Sequence, residues 1–121
     1  MNKDKATRFL ELIISGDIDT AYDTYVDFDG KHHNVYTPAG FDKLKEGMQD
    51  AETKTPNKHF EIKNVFDGGD MVAVHSHLTL SPNEPGMSVV HMFRFKNKKI
   101  IEMWDVAQTI PSESVNSDGP F

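Results

Sequence analysis

The hydrophobic pattern of this chain changes period once, near Asn57, and that change restricts the fold more than any other feature. Before it, apolar residues recur at helical spacing. In the segment 3–15, Phe9, Leu10, Ile13 and Ile14 form one stripe, and Gly16 stops it. Asp17 is suited to cap a second helix carrying Ala21, Tyr22 and Tyr25. Thr37 followed by Pro38 predicts a third helix running to about Ala51, with Phe41, Leu44 and Met48 on its buried side. The stretch 27–36 between them, DFDGKHHNVY, reads as an irregular connection.

After Asn57 the period is two. Four strands are expected, at 59–66, 71–80, 87–95 and 100–109. Turn signals separate them at Asp67-Gly68-Gly69-Asp70, at 81–86 with two prolines, and at Asn97-Lys98. Long strands joined by short turns make an antiparallel meander. Helices first and strands later make an α+β domain, with about three helices packed on the concave face of a curved, mostly antiparallel sheet. A chain of 121 residues supports one such core, so residues 1–121 form a single domain whose turn-rich end, 111–121, is an irregular tail.

Composition excludes several functions. A net charge of −6 is wrong for a phosphate-backbone binder, and Lys96, Lys98 and Lys99 fit a solvated hairpin tip, so no nucleic-acid partner is expected. The absence of cysteine removes disulfides, thiolate metal sites and cysteine nucleophiles. No apolar run reaches membrane-spanning length, so no membrane partner is expected. The opening residues MNKDKATRFLELIISGD lack the apolar core and cleavage site of a secretory signal, which makes a cytoplasmic location the expectation.

Candidate chemistry concentrates near the last strand, IIEMWDVAQ. Simple alternation places Ile101, Met103, Asp105 and Ala107 on one face, and Ile100, Trp104 and Val106 on the other. Asp105 is thus a lone carboxylate on an apolar face, where burial without a cation would raise its pKa and prepare it for proton exchange. His91 lies on the preceding strand among Val89, Phe93 and Phe95. Register decides whether the two meet. A two-residue turn at Asn97-Lys98 would pair His91 with Trp104 and turn Asp105 away. A three-residue turn or one bulge would bring His91 and Asp105 to the same side, as the apolar content of the faces favours. His75 and His77 share a strand face, and His32 and His33 lie in the early loop. Paired histidines of this kind can bind zinc or iron, but nothing in the sequence supplies a third ligand, and no metal site is assigned.

With those residues identified, the chain resembles the SnoaL-like polyketide cyclases. These belong to the cone-shaped superfamily of nuclear transport factor two and ketosteroid isomerase. The resemblance rests on VVHMFRF, KIIEMWDVAQ and NSDGPF, and extends upstream through GGDMVAVHSHL and the HHN of the early loop. It implies a cofactor-independent aldol-type cyclase, isomerase or lyase acting on a small apolar or carbonyl-containing molecule. Asp105 would be general acid/base, and His91 would donate to the developing oxyanion. His33 and Asn34 would close the pocket mouth, and His77, Phe93, Met103 and Trp104 would contact the ligand. Met103 stands where many relatives carry a polar residue. The other functions such a domain would serve are binding a small apolar ligand without turnover and acting as a dimeric interaction domain. An exposed apolar outer sheet face, including Trp104, makes a homodimer the expectation in each case.

Overall fold

The computed structural model describes residues 1–121. Helix α1 (Asn2–Ile14) ends where the sequence requires it. Gly16 adopts φ +87°, its N–H bonds to the Ile13 carbonyl, and the Asp17 N–H bonds to the Leu12 carbonyl. This pair of bonds satisfies the last carbonyls of the helix through a left-handed residue that glycine adopts without steric cost. Helix α2 (Ile18–Tyr25) follows at once. Helix α3 spans Phe41–Lys54, later than expected at both ends. Thr37 and Pro38 do not open it, because Gly40 intervenes at φ +102°, outside helical space. No helix is long and apolar enough to cross a membrane.

The four expected strands are present as β2 (His59–Asp67), β3 (Met71–Thr79), β4 (Met87–Lys96) and β5 (Lys99–Thr109). A fifth, β1 (Val26–His32), occupies most of the stretch expected to be irregular. Its interior, Asp27 to Lys31, has poor strand propensity, and only its two ends, Val26 and His32, are buried. It is held by parallel pairing with β5, of which residue preference alone gives no sign. The sheet order is β1-β5-β4-β3-β2, antiparallel except for β1, curved and not closed.

The helices cover the inner face. Phe9 of α1 meets Tyr22 of α2 edge-on at 5.3 Å and Phe93 of β4 at 5.8 Å. Around them Val72, Val74, Phe95, Ile100, Met103, Phe41 and Leu44 are buried. Each fully buried side chain of this size contributes about 1.5–3 kcal/mol through removal of apolar surface from water.

The β4–β5 hairpin combines two devices that the sequence left as alternatives. Asn97 and Lys98 both lie in the left-handed region, at φ 52° and 68°, as a two-residue hairpin turn requires. Lys96 therefore pairs with Lys99 and Phe95 with Ile100. The register then shifts, Arg94 pairs with Glu102, and Ile101 is the extra residue of a β-bulge. This corrects the expected alternation. Ile100, not Ile101, shares the inner face with Met103 and Asp105, and it is fully buried. Trp104 shares the outer face with Glu102 and Val106.

Gly30 of β1 fits beneath this bulge. A Cβ there would lie 2.2 Å from the Ile101 carbonyl oxygen and 2.9 Å from Phe41 Cε2. Backbone is an unyielding neighbour, so Gly30→Ala is expected to destabilise the fold by about 1–3 kcal/mol, the range for overpacking. Lys98→Gly, which relieves a left-handed lysine, should stabilise it by about 0.5–1 kcal/mol. Urea midpoints of the two variants, moving in opposite directions, check both.

Candidate active site on the inner sheet face

Asp105 and His91 form a directly opposed cross-strand pair. Both point to the inner face, since Phe93, two residues from His91 and opposite Met103, is fully buried there. Asp105 is half-buried. Its Oδ2 accepts a 2.9 Å hydrogen bond from Asn34 Nδ2. Asn34 is itself held on several sides. Its Oδ1 accepts the Tyr36 N–H at 3.0 Å, which identifies the other side-chain atom as the NH2 facing Asp105. Its backbone N–H donates to His32 Nδ1 at 3.1 Å, and His32 Nε2 donates to the Pro38 carbonyl at 2.9 Å. Buried His32 thus staples the 33–40 loop to β1 and aims Asn34 at the carboxylate.

The His91 ring stacks on Phe93 at 6.1 Å with an interplanar angle of 12°, and the Phe60 ring lies 6.3 Å away. Part of the residue's surface is accessible, but its Nδ1 is fully shielded and has no hydrogen-bond partner in the protein. Burial pulls the imidazole pKa down to about 4, against the upward pull of the Asp105 charge. At neutral pH the ring is therefore uncharged.

Tyr22 completes the group, and sequence reasoning had placed it only on a helix stripe. It is buried, and both burial and the negative charge of Asp105 push its phenol above the usual tyrosine range. It is a permanently neutral donor near the carboxylate. The available signal was a tyrosine on an apolar stripe that a phenylalanine would have filled equally well.

The structure divides the remaining expected residues between two faces. Phe93 and Met103 are buried inner-face neighbours of the pair. Three residues expected to contact a ligand lie on the other side of the sheet from the His91–Asp105 pair. Trp104 adjoins Asp105 in sequence and so must face outward; Arg94 lies over its ring at 5.8 Å. His33 stacks on the indole at 5.1 Å, and its Nε2 lies 2.6 Å from Glu102 Oε2. The hydrogen bond from His33, followed by that from Arg94, holds the Glu102 carboxyl below its usual range. His77 pairs with Ser88 on the outer face and donates from Nε2 to the Pro85 carbonyl at 2.6 Å. Phe121 of the tail lies against His75 and His77, at 5.3 and 4.9 Å. No three histidine, aspartate or glutamate side chains come together in a metal-binding arrangement.

Two open depressions lie elsewhere. One, of about 230 Å3, is lined by Asp17, Asp19, Gln49 and Glu52 at the helix ends. The other, of about 510 Å3, lies at the bulge among Asp27, Asp29, Lys31, Lys96 and Glu102. Each has a single hydrophobic lining residue, which does not suit an apolar ligand.

The sequence model of the SnoaL-like domain matches residues 6–103. A search of the curated proteins gives no match. Among solved structures, a cystatin-fold protein from Novosphingobium aromaticivorans is 22% identical with a TM-score of 0.73, covering 88% of this chain and 97% of that one. IdmH from Streptomyces antibioticus, a candidate polyketide cyclase, is 17% identical with a TM-score of 0.72, covering 89% and 92%. A candidate polyketide cyclase from Acidithiobacillus ferrooxidans is 19% identical with a TM-score of 0.70, covering 89% of each chain. At these identities the likeness is one of fold.

The lowered pKa of His91 links protonation to stability. The unfolded chain binds this proton below about 6.5, whereas the folded chain resists it down to about 4. Between those values the unfolded state holds more protons, so stability rises with pH and is lost as pH falls through the window. The loss is expected to be on the order of 2–3 kcal/mol. Unfolding free energies from urea titrations at pH 7 and 4.5 should differ by that much more in the wild type than in His91→Phe.

Proposed function

The chain belongs to the SnoaL-like domain family, and from that premise we propose that it is a cofactor-independent enzyme for carbonyl compounds. Its reaction is an aldol-type cyclisation, an isomerisation or a lyase step that begins with proton removal next to a carbonyl. The observation that carries this reading is the direct opposition of His91 and Asp105 on an apolar face, with Asn34 holding one carboxylate oxygen.

The chemistry follows from the charge states. Asp105 Oδ1 is the oxygen that Asn34 leaves unengaged, and it takes the proton from the carbon alpha to the carbonyl. The electron pair moves into the new carbon–carbon double bond, and negative charge develops on oxygen. Neutral His91 and neutral Tyr22 are the donors for that oxygen. A neutral imidazole is a good partner for an enolate because it stabilises the charge without giving up its proton. The enolate carbon then either attacks a second carbonyl of the same molecule or takes the proton back at another position. In the first case a carbon–carbon bond forms and Asp105 returns the proton to the new alkoxide.

The ligand is a small apolar molecule carrying at least one carbonyl, resting on the Phe93 and Met103 side of the inner face. A homodimer through the outer face accompanies this reading. That face carries Trp104 and Val106, the latter 59% exposed on the outward row of β5. Val106→Lys is expected to convert the dimer to a monomer in light scattering after gel filtration, with the far-ultraviolet spectrum retained.

Hydrogen–deuterium exchange at C1 of 2-tetralone, followed by NMR, tests the chemistry. Asp105→Asn should lower the catalysed rate by about 10²–10⁴-fold while binding of the ketone changes only a few-fold. Equal exchange rates in the two proteins, with binding intact, would instead identify a ligand-binding module of the same fold.

A further inference from the structure

Ser76 lies on the inner face of β3 and is completely buried, and its Oγ has no hydrogen-bond partner in the protein. The only other buried side-chain atom in that condition is His91 Nδ1. The two belong to adjacent strands. Val74 is paired with His91 and Ser76 with Val89, so Ser76 and His91 are diagonal neighbours on the same face, within reach of one bridging group. A protein rarely leaves buried polar atoms unpaired, and two in neighbouring positions call for a common partner.

We propose that Ser76 Oγ and His91 Nδ1 form a second polar subsite that takes a hydroxyl group of the bound molecule. This rests on the inner face being the ligand site argued above. Hydroxyl is the class of group that matches both atoms. Ser76 donates through Oγ–H, and the ligand hydroxyl accepts that bond and donates its own proton to Nδ1. A ketone oxygen accepts only, and would leave the imidazole lone pair unpaired. Donation to Nδ1 also places the imidazole proton on Nε2, so the second subsite selects the tautomer of the histidine opposed to Asp105.

The spacing limits the ligand further. Ser76 is on β3 and Asp105 on β5, two strand spacings apart, and the register sets them two residues apart along the strands, since Ser76 is level with Ala107. With strands about 4.8 Å apart and a rise of about 3.4 Å per residue, the two backbones are roughly 12 Å apart. Inward-pointing side chains shorten that distance at their tips. A rigid molecule with its carbonyl at Asp105 and its hydroxyl at Ser76 therefore needs at least two fused rings. The substrate class is a hydroxylated bicyclic or larger ketone.

Calorimetric titration of 2-tetralone and 6-hydroxy-2-tetralone tests this. The wild type is expected to bind the hydroxylated ketone roughly ten- to a hundredfold more tightly, the range for a buried donor and acceptor otherwise left unpaired. Ser76→Ala should reduce the preference to less than twofold with 2-tetralone affinity retained, and Ser76→Thr should restore part of it. The 15N shifts of His91 should report a proton fixed on Nε2 only with the hydroxylated compound. Three results overturn the proposal. They are a wild type showing no hydroxyl-dependent gain (whether both compounds bind alike or neither binds), a preference that survives Ser76→Ala, and a buried water bridging the two atoms in crystals of both free and bound protein. Preference without catalysed exchange would keep the subsite and remove the acid–base reading. Exchange without preference would do the reverse.

Discussion

The bulge at Ile101 determines which residues of β5 face the helices. The turn at Asn97-Lys98 is the short kind that closes a hairpin with two left-handed residues, and a regular ladder continuing from it would pair His91 with Trp104. The indole would then enter the core and Asp105 would face outward. One extra residue exchanges those fates for every position beyond it, because the side-chain period of a strand is two. The bulge also creates a need next door. Its displaced carbonyl lies where a Cβ of residue 30 would be, and β1 can pair alongside only because that residue is glycine. The parallel pairing of β1 brings His32 opposite Met103, and His32 in turn fixes the loop that delivers Asn34 to Asp105. Both the carboxylate and its hydrogen-bond donor thus depend on one inserted residue.

Burial then sets the protonation states within the site. A histidine opposite an aspartate in water would form an ion pair near neutral pH. Here the His91 ring lies between Phe93 and Phe60, and loss of hydration outweighs attraction to the carboxylate. Tyr22 experiences the same two influences, but for a phenol both act in one direction, toward the neutral form. One carboxylate is consequently accompanied by neutral donors, and in the proposed reaction that arrangement would stabilise charge appearing on a substrate oxygen while leaving the proton to Asp105. The outer face follows the opposite rule. Glu102 meets His33, Arg94 and Lys31 at the surface, where ion pairs cost little to hydrate and contribute little to stability.

Much of this was legible in the sequence, and what was not has identifiable causes. The helices and the four antiparallel strands announce themselves through apolar period, and Gly16 and Asn97-Lys98 through turn chemistry. The first strand was hidden because Asp27, Asp29, Gly30 and Lys31 have no preference for a strand; parallel pairing to β5 imposes one. Alternation alone misplaced Ile100 and Ile101, since a bulge has no local signature beyond the mismatch of two hydrophobic faces. That mismatch did favour His91 and Asp105 on one side. His77, His33 and Trp104 join the site only through the resemblance, whereas strand parity sends His77 and Trp104 outward and His33, just past the end of β1, stacks on the outer indole.

Parity would also make the inner face, as the proposed ligand site, more selective than its few polar residues suggest. Along β3 the inward residues are Val72, Val74, Ser76 and Leu78, and a single hydroxyl interrupts an otherwise apolar row. Along β4 the single interruption is His91, and along β5 it is Asp105 until the exposed strand end at Thr109. The three interruptions fall on adjacent strands: His91 and Asp105 are directly opposed, and Ser76 lies diagonally from His91, two residues along. In the proposed reading a ligand on this face meets polar groups along this diagonal path, with Tyr22 and Asn34 at its Asp105 end, and largely hydrocarbon elsewhere. A molecule whose oxygens follow that diagonal satisfies every buried donor and acceptor, whereas one with the same rings and displaced oxygens leaves at least one unpaired at each end. Because unpaired buried groups are costly, shape and oxygen placement act together, and discrimination arises from the pleat of the sheet itself.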